Sequence, residues 1–170
     1  MRLFIAIDID ENLRDKIISL IEKIKTCNAD IKFVERENLH FTLKFLGEVS
    51  DSLLGDLIKN VKSSISNMKP FKVCINGLDY FGSRKFIRVL WLGVKEGEKE
   101  MKNIMDLLNK NVNVGVPSNK AHLTIGRVKS GKNISCLLNM IKSLYDVNIG
   151  CMNVSEVKIK RSILTRKGPI

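Results

Sequence analysis

A chain of 170 residues, 44% of them apolar, is long enough to bury one core or two small lobes sharing an interface. Its three prolines do not make a Pro-rich linker, and the opening apolar run, broken by Asp8 and Asp10, reads as neither a secretion leader nor a membrane span. Twenty-nine Lys and Arg against eighteen Asp and Glu leave +11, a field that attracts RNA, DNA or a phosphorylated small molecule, although a solvated lysine-rich surface gives the same sum.

In chain order, "RLFIAIDI" (Arg2 to Ile9) predicts a strand, and Asp10 is placed to cap the helix after it. Leu13, Ile17, Leu20, Ile21 and Ile24 recur at three and four and predict that helix. "DIKFV" reads as a short strand, and "LHFTLKFLG" (Leu39 to Gly47) as a longer one closed by glycine. Ser50 is placed to cap a second helix with Leu53, Leu54, Leu57, Ile58, Val61 and Ile65 on one side. Pro70 ends that segment, and "FKVCING" is the next strand.

The order then repeats. "KFIRVLWLGV" (Lys85 to Val94) predicts a strand, and "EKEMKNIMDLLNK" a helix carrying Met101, Ile104, Met105 and Leu108. "AHLTIGRV" is a strand, "NISCLLNMIKSLY" a helix, and "VSEVKIKRSILT" a closing strand. Both halves read strand, helix, strand, helix, strand, which predicts an α+β fold of two lobes, each an antiparallel or mixed sheet with helices on one face. Apart from two histidine-containing segments, the halves show no strong residue-level repeat, so a diverged duplication and two unrelated α/β halves both remain open.

The four cysteines, Cys27, Cys74, Cys136 and Cys151, have no C-x-x-C spacing. They are expected to be reduced, buried thiols of a cytoplasmic protein, with no disulfide scaffold.

Histidine occurs only in "HFTL" (His40 to Leu43) and "HLTI" (His122 to Ile125), each time with threonine two positions later. Strand side chains alternate between faces, so His40 shares a face with Thr42 and His122 with Thr124, while Phe41, Leu43 and Phe45 take the opposite face. A lone histidine beside apolar residues is most often a satisfied, half-buried side chain. The chain has only four threonines, however, and random placement would put one after both histidines with odds of about one in two thousand.

Several chemistries fail on this pattern. Metal sites ordinarily use three or four ligands at defined spacing, and neither H-E-x-x-H nor paired cysteines occur. A Ser-His-Asp triad leaves one histidine unexplained, and no G-x-x-x-x-G-K-[ST] loop exists. Paired general acid–base catalysis at phosphorus fits, because imidazole titrates near neutrality and one ring can be charged while the other is neutral. Thr42 and Thr124 could then donate to the non-bridging oxygens. Lys44 joins the His40 face if the strand stays regular. Arg127 falls on the face opposite His122 unless the strand bulges, Gly126 being a suitable place. Phe41, Phe45 and Trp91 are expected to pack the core.

With these motifs in hand, the chain resembles the two-histidine phosphoesterase superfamily, and within it the bacterial and archaeal RNA 2',3'-cyclic phosphodiesterases, also described as 2'-5' RNA ligases. The resemblance runs from "RLFIAIDI" through "ENLHFTLKFLGEVS", "FIRVLWLGV" and "AHLTIGRVK" to "IKRSILTRKG". It implies one domain over residues 1–170, with pseudo-symmetric lobes near 1–80 and 81–170 that exchange segments, and a groove between them. It also implies metal-free and cofactor-free opening of an RNA 2',3'-cyclic phosphate to a 2'-phosphate, with His40 as proton donor, His122 as proton acceptor, and Thr42 and Thr124 on the phosphate. Arg84 and Arg88, in the basic loop "FGSRKFIR", are candidate RNA contacts beside Lys44 and Arg127. The implied partner is an RNA or oligonucleotide with a cyclic end, no membrane is involved, and a monomer is expected. RNA ligation, another cyclic nucleotide as substrate, and an RNA-binding module without turnover are the alternatives. Two departures stand out: Ala121 replaces a proline common in relatives before the second motif, and "RKGPI" replaces an aromatic near the end.

Overall fold

A computed structural model describes the backbone of residues 1–165 and 168–169 and the side chains of residues 1–163. Of the terminal "RKGPI", Arg166, Lys167 and Ile170 lie outside the described residues.

The chain begins with β1 (Arg2–Asp8) and α1 (Glu11–Lys25), whose periodic apolar residues Leu13, Ile17, Leu20, Ile21 and Ile24 are all buried. Then come β2 (Ile31–Phe33), β3 (His40–Glu48), α2 (Asp51–Ile65) and β4 (Phe71–Gly82). The second half supplies β5 (Ile87–Glu96), α3 (Glu98–Asn111), β6 (Leu123–Val128), α4 (Ile134–Ser143) and β7 (Asn148–Val154). It closes with β8 (Lys158–Arg161) and the short pair β9 (Leu164–Thr165) and β10 (Gly168–Pro169).

Two larger antiparallel sheets result. One has the order β3-β1-β8, the other β2-β6-β5-β4-β7. Neither sheet is made from one half of the chain: β2 and β4 join the five-stranded sheet, and β8 returns to complete the three-stranded one. The helices cross in the same way. α1 lies against β7, α4 against β4, and α2 beside α3, which touches both β3 and β5. One continuous apolar cluster runs through both sheets, with Ile5, Phe41 and Leu43 on the first and Leu90, Leu92 and Leu123 on the second.

Four expectations are corrected. No cysteine is free among the described residues: Cys27 bonds Cys136 and Cys74 bonds Cys151. The partners are 109 and 77 residues apart, so nothing local in the sequence pairs them. Cys74 and Cys151 face each other across β4 and β7, and the first bond joins the end of α1 to α4. Asp10 and Ser50 sit at helix starts but make no side-chain capping bond. The broad stripe of α2 is only partly covered, since Leu57 and Val61 are buried while Leu53 is 50% exposed. Finally, the segment Val154 to Thr165 is not one strand, and β7 before it was not foreseen, because "NIGCMNV" has no clean alternation.

Candidate active site

β3 forms an edge of the three-stranded sheet and β6 lies one strand in from the edge of the five-stranded sheet. Cα atoms of the two come within 8 Å of each other, so the two strands that carry the motifs are neighbours across the sheets. A second tie lies just beyond the first motif, where the amide of Val116 donates to the carbonyl of Phe45 at 2.9 Å. Gly115 makes this possible: its φ is +84°, and a Cβ there would fall 1.8 Å from the Phe45 oxygen. The loop leading to His122 is thus docked on the strand that carries His40.

Both rings are held alike. His40 Nδ1 lies 2.7 Å from the carbonyl of Asn38, and His122 Nδ1 lies 2.8 Å from the carbonyl of Lys120. A carbonyl only accepts, so Nδ1–H donates in both rings and Nε2 is the atom left for chemistry. His40 Nε2 is 3.0 Å from Thr42 Oγ1. Each ring also meets an aromatic at 4.9 Å between centroids, Phe4 for His40 and Phe81 for His122. Trp91 adds an edge contact to His122 at 6.1 Å and carries the Lys120 ammonium 4.4 Å from its ring centre.

Burial pushes the pKa of both imidazoles below its ordinary value. For His40 the Asn38 carbonyl opposes that effect, Lys160 adds to it, and Asp8 opposes it. For His122 the Lys120 carbonyl opposes it, while the charges of Lys120 and Arg127 add to it.

The remaining residues are sorted by two bulges. In β3 the register steps from Ala6↔Thr42 to Ile5↔Lys44, so Leu43 is the extra residue. Leu43 and Lys44 therefore both turn inward, and Lys44 is 3% exposed. Its ammonium lies 3.3 Å from Asn109 Oδ1 and 3.5 Å from the Leu108 carbonyl, at the C-terminal end of α3 rather than beside Thr42. Phe45 takes the opposite course: expected in the core, it is 48% exposed and faces Phe4. In β6 the register steps from Trp91↔Thr124 to Leu90↔Gly126, so Ile125 is the extra residue. That bulge turns Arg127 outward, on the side of Thr124, close enough for its charge to act on His122.

Arg84 and Arg88 are exposed in the β4–β5 hairpin, whose turn is closed by reciprocal backbone bonds between Ser83 and Phe86. The hairpin root carries Phe81, so the basic turn belongs to the His122 side. Reading the sequence missed Phe4, Asp8, Phe81, Lys158 and Lys160. Phe81 opens the basic loop, but no local signal marks a ring contact made across two strands. Trp91 was expected in the core and is 5% exposed, yet it also borders His122.

Two imidazoles tethered through Nδ1, one with the Thr42 hydroxyl at its Nε2, and with the charges of Lys160, Lys120 and Arg127 acting on them, suit paired proton transfer at a phosphate. Comparison with known proteins narrows this further. Residues 7–91 match the family described as LigT-like phosphoesterase. The RNA 2',3'-cyclic phosphodiesterase of Methanothermobacter thermautotrophicus is 40% identical over all of this chain and 94% of its own length. The protein of the same name from Archaeoglobus fulgidus is 36% identical over all of this chain and 96% of its length. The crystal structure of Thermus thermophilus TT0787 superposes with a TM-score of 0.75 at 23% identity, covering 100% of this chain and 93% of that one. Escherichia coli LigT complexed with 3'-AMP gives 0.74 at 24% identity, covering 99% of this chain and 92% of that one.

Proposed function

The chain belongs to the LigT-like phosphoesterases, in the family of the RNA 2',3'-cyclic phosphodiesterases, and from that premise we propose that it hydrolyses RNA 2',3'-cyclic phosphate ends to 2'-phosphates without a metal. The observation that carries this reading is the matched tethering of two imidazoles on neighbouring motif strands, with Nε2 the working atom of each.

In this reading a water oxygen attacks phosphorus while His122 Nε2 takes its proton. The bond from phosphorus to the 3' oxygen breaks, and the Nε2 proton of charged His40 goes to that oxygen. The Thr42 and Thr124 hydroxyls hold the non-bridging oxygens. Thr42 gains this ability from His40. A neutral ring accepts the hydroxyl proton, but a charged ring donates to Oγ1 and leaves that proton free for phosphate. Arg127 supplies positive charge on the His122 side, and Arg84 and Arg88 attract the RNA chain. Lys44 has no part in holding phosphate.

We also read the fold as two pseudo-symmetric lobes, near 1–80 and 81–170, that exchange strands, β2 and β4 going to the five-stranded sheet and β8 to the three-stranded one. Support comes from the strand orders β3-β1-β8 and β6-β5-β4 and from a bulge directly after each H-x-T. A cytoplasmic site of action accompanies the reading. No helix among the described residues is long and apolar enough to cross a membrane. Two disulfides are uncommon in a reducing compartment, so cell fractionation with thiol titration tests the location.

The deciding experiment is digestion of a cyclic-phosphate RNA with the product read as 2'- or 3'-phosphate, with and without chelator, and with and without a 5'-hydroxyl acceptor strand. A 2'-phosphate formed equally with chelator supports the reading. A 3'-phosphate, or activity that needs a restored divalent ion, overturns it. Dominant joining of the acceptor strand would make this a ligase.

A further inference from the structure

Strand β5 leads away from the second histidine toward the β4–β5 turn, and one of its faces is not explained by packing. Leu90 and Leu92 are fully buried on the core face, so Trp91 stands on the other, where it borders His122. Toward the turn the register steps from Phe81↔Val89 to Gly82↔Ile87, so Arg88 is an extra residue in β5. Ile87 is buried, whereas Arg88 is exposed and follows Val89 onto the face of Phe81 and Trp91. Phe86 comes next, on the side opposite Ile87, and is 74% exposed. From His122 outward the face presents Trp91, then Arg88 with Arg127 across from Val89 on β6, then Phe86 beside the turn residues Arg84 and Lys85.

The turn fixes where that ring stands. Ser83 and Phe86 exchange backbone bonds of 3.0 Å in both directions, and the Ser83 hydroxyl oxygen accepts another from the Phe86 amide at 3.2 Å. Gly82 permits the close approach: its φ is +118°, and a Cβ there would lie 2.0 Å from the Phe86 carbonyl oxygen. A ring on a closed turn loses little backbone freedom when a flat partner covers it. Among the described residues no carboxylate pairs with Arg84, Lys85, Arg88 or Arg127, and Asp79, opposite Trp91, accepts from the Tyr80 amide instead. On the His40 side, by contrast, Lys158 and Lys160 are balanced by Asp8 and Glu156.

We propose that Phe86 is a stacking platform for a base of the RNA upstream of the reacting nucleotide, with the cations of the β5 face holding the backbone that leads to it. This rests on the reading of the protein as a cyclic-phosphate hydrolase. Charge selects the class of occupant. Aromatic rings alternating with unpaired cations suit single-stranded nucleic acid, whose bases offer flat faces between phosphates, and suit an apolar protein surface poorly. Distance selects the nucleotide. Phe86 is five residues from Trp91, about 17 Å at the rise of a strand, so a base on it does not belong to the nucleotide whose phosphate sits at His122. The cyclic phosphate occupies the 3' end of its chain, so the nucleotide that reaches Phe86 lies on the 5' side. Stacking does not read hydrogen-bonding edges, so the platform takes any base.

The test compares a 2',3'-cyclic mononucleotide, which ends short of the turn, with a cyclic-ended octanucleotide, and with octanucleotides lacking one base at each upstream position in turn. For the wild type, kcat/KM should favour the full octanucleotide, and one missing base should cost at least about fivefold. In Phe86→Ala and Phe86→Leu the ratio of octanucleotide to mononucleotide should fall at least about fivefold, and that missing base should cost nothing further. Phe86→Trp should keep both effects. A ratio unmoved in the alanine variant overturns the platform. So does a ratio kept by leucine, which is apolar without a ring, or one that falls with no base position depending on Phe86. In each of these cases a wild type active on the mononucleotide leaves the hydrolase reading standing. A wild type that turns over neither substrate overturns the functional reading, and the platform with it.

Discussion

Lys44 of β3 and Asn109 of α3 meet, with the buried ammonium of Lys44 3.3 Å from Asn109 Oδ1. Asn109 Nδ2 in turn donates to the Ser118 carbonyl at 3.1 Å, four residues before His122. A lysine next to the first motif therefore steadies the approach to the second. Lys44→Met is expected to lower kcat several-fold while KM and its salt dependence stay near wild type. A contact to substrate phosphate would instead raise KM and flatten the salt slope, by about 0.7 for each single-strand phosphate lost. Steady-state kinetics at several salt concentrations separate the two.

Removing either imidazole, in His40→Ala or His122→Ala, should lower kcat at least about a hundredfold. Binding of a cyclic-ended oligonucleotide should persist, because cations outside the rings hold the chain. Retained turnover in either variant would remove that ring from the mechanism. Fluorescence anisotropy beside single-turnover rates measures both quantities.

The pH profile rests on the same assignment. His122 must be neutral, so kcat/KM rises as pH climbs through its pKa. His40 must be charged, so the rate falls as pH climbs through its own. Burial holds both below the ordinary 6.5, which puts both limbs of the free-enzyme profile on the acid side of that value. Bound phosphate favours the charged rings, so the kcat profile should lie at higher pH. Asp8→Asn removes a negative charge that supports His40⁺ and leaves Lys160 unopposed, so the descending limb should move to lower pH. A descending limb unchanged in this variant would contradict the donor role of His40.

Thr42→Val keeps the shape of the side chain and removes the hydroxyl bonded to His40. The expected loss in kcat is about ten- to hundredfold, with Thr42→Ser recovering most of it. Equal activity in the valine variant would show that Thr42 does not hold the phosphate.

Reduction should lower the melting temperature. The disulfides close segments of 109 and 77 residues, which in the chain-entropy limit corresponds to about 4–5 kcal/mol each. Thermal unfolding with and without reductant, beside a thiol count, checks this. Four reactive thiols in the untreated native protein would argue against both bonds.

Much of this protein is local and so could be read from the chain. The stripes of α1 and α3 became their buried faces, because a helix repeats every 3.6 residues whatever surrounds it. The pairing of each histidine with its threonine likewise comes from the two-residue period of a strand. A period holds only until a bulge interrupts it. Lys44 turned inward and Phe45 outward after Leu43, and Arg127 turned outward after Ile125, because the extra residue is defined by the partner strand and not by the strand that contains it.

Tertiary structure alone decided which distant segments meet. Lys158 and Lys160 reach Asp8 from 150 and 152 residues away, the disulfides join helices and strands from different halves, and β8 lies beside β1 although nearly the whole chain separates them. Such pairings depend on two surfaces fitting while a common core is buried, a property of the folded whole that no single stretch of residues carries. The order of side chains along each strand belonged to the sequence. Which strands became neighbours, and hence which charges surround His40, belonged to the fold.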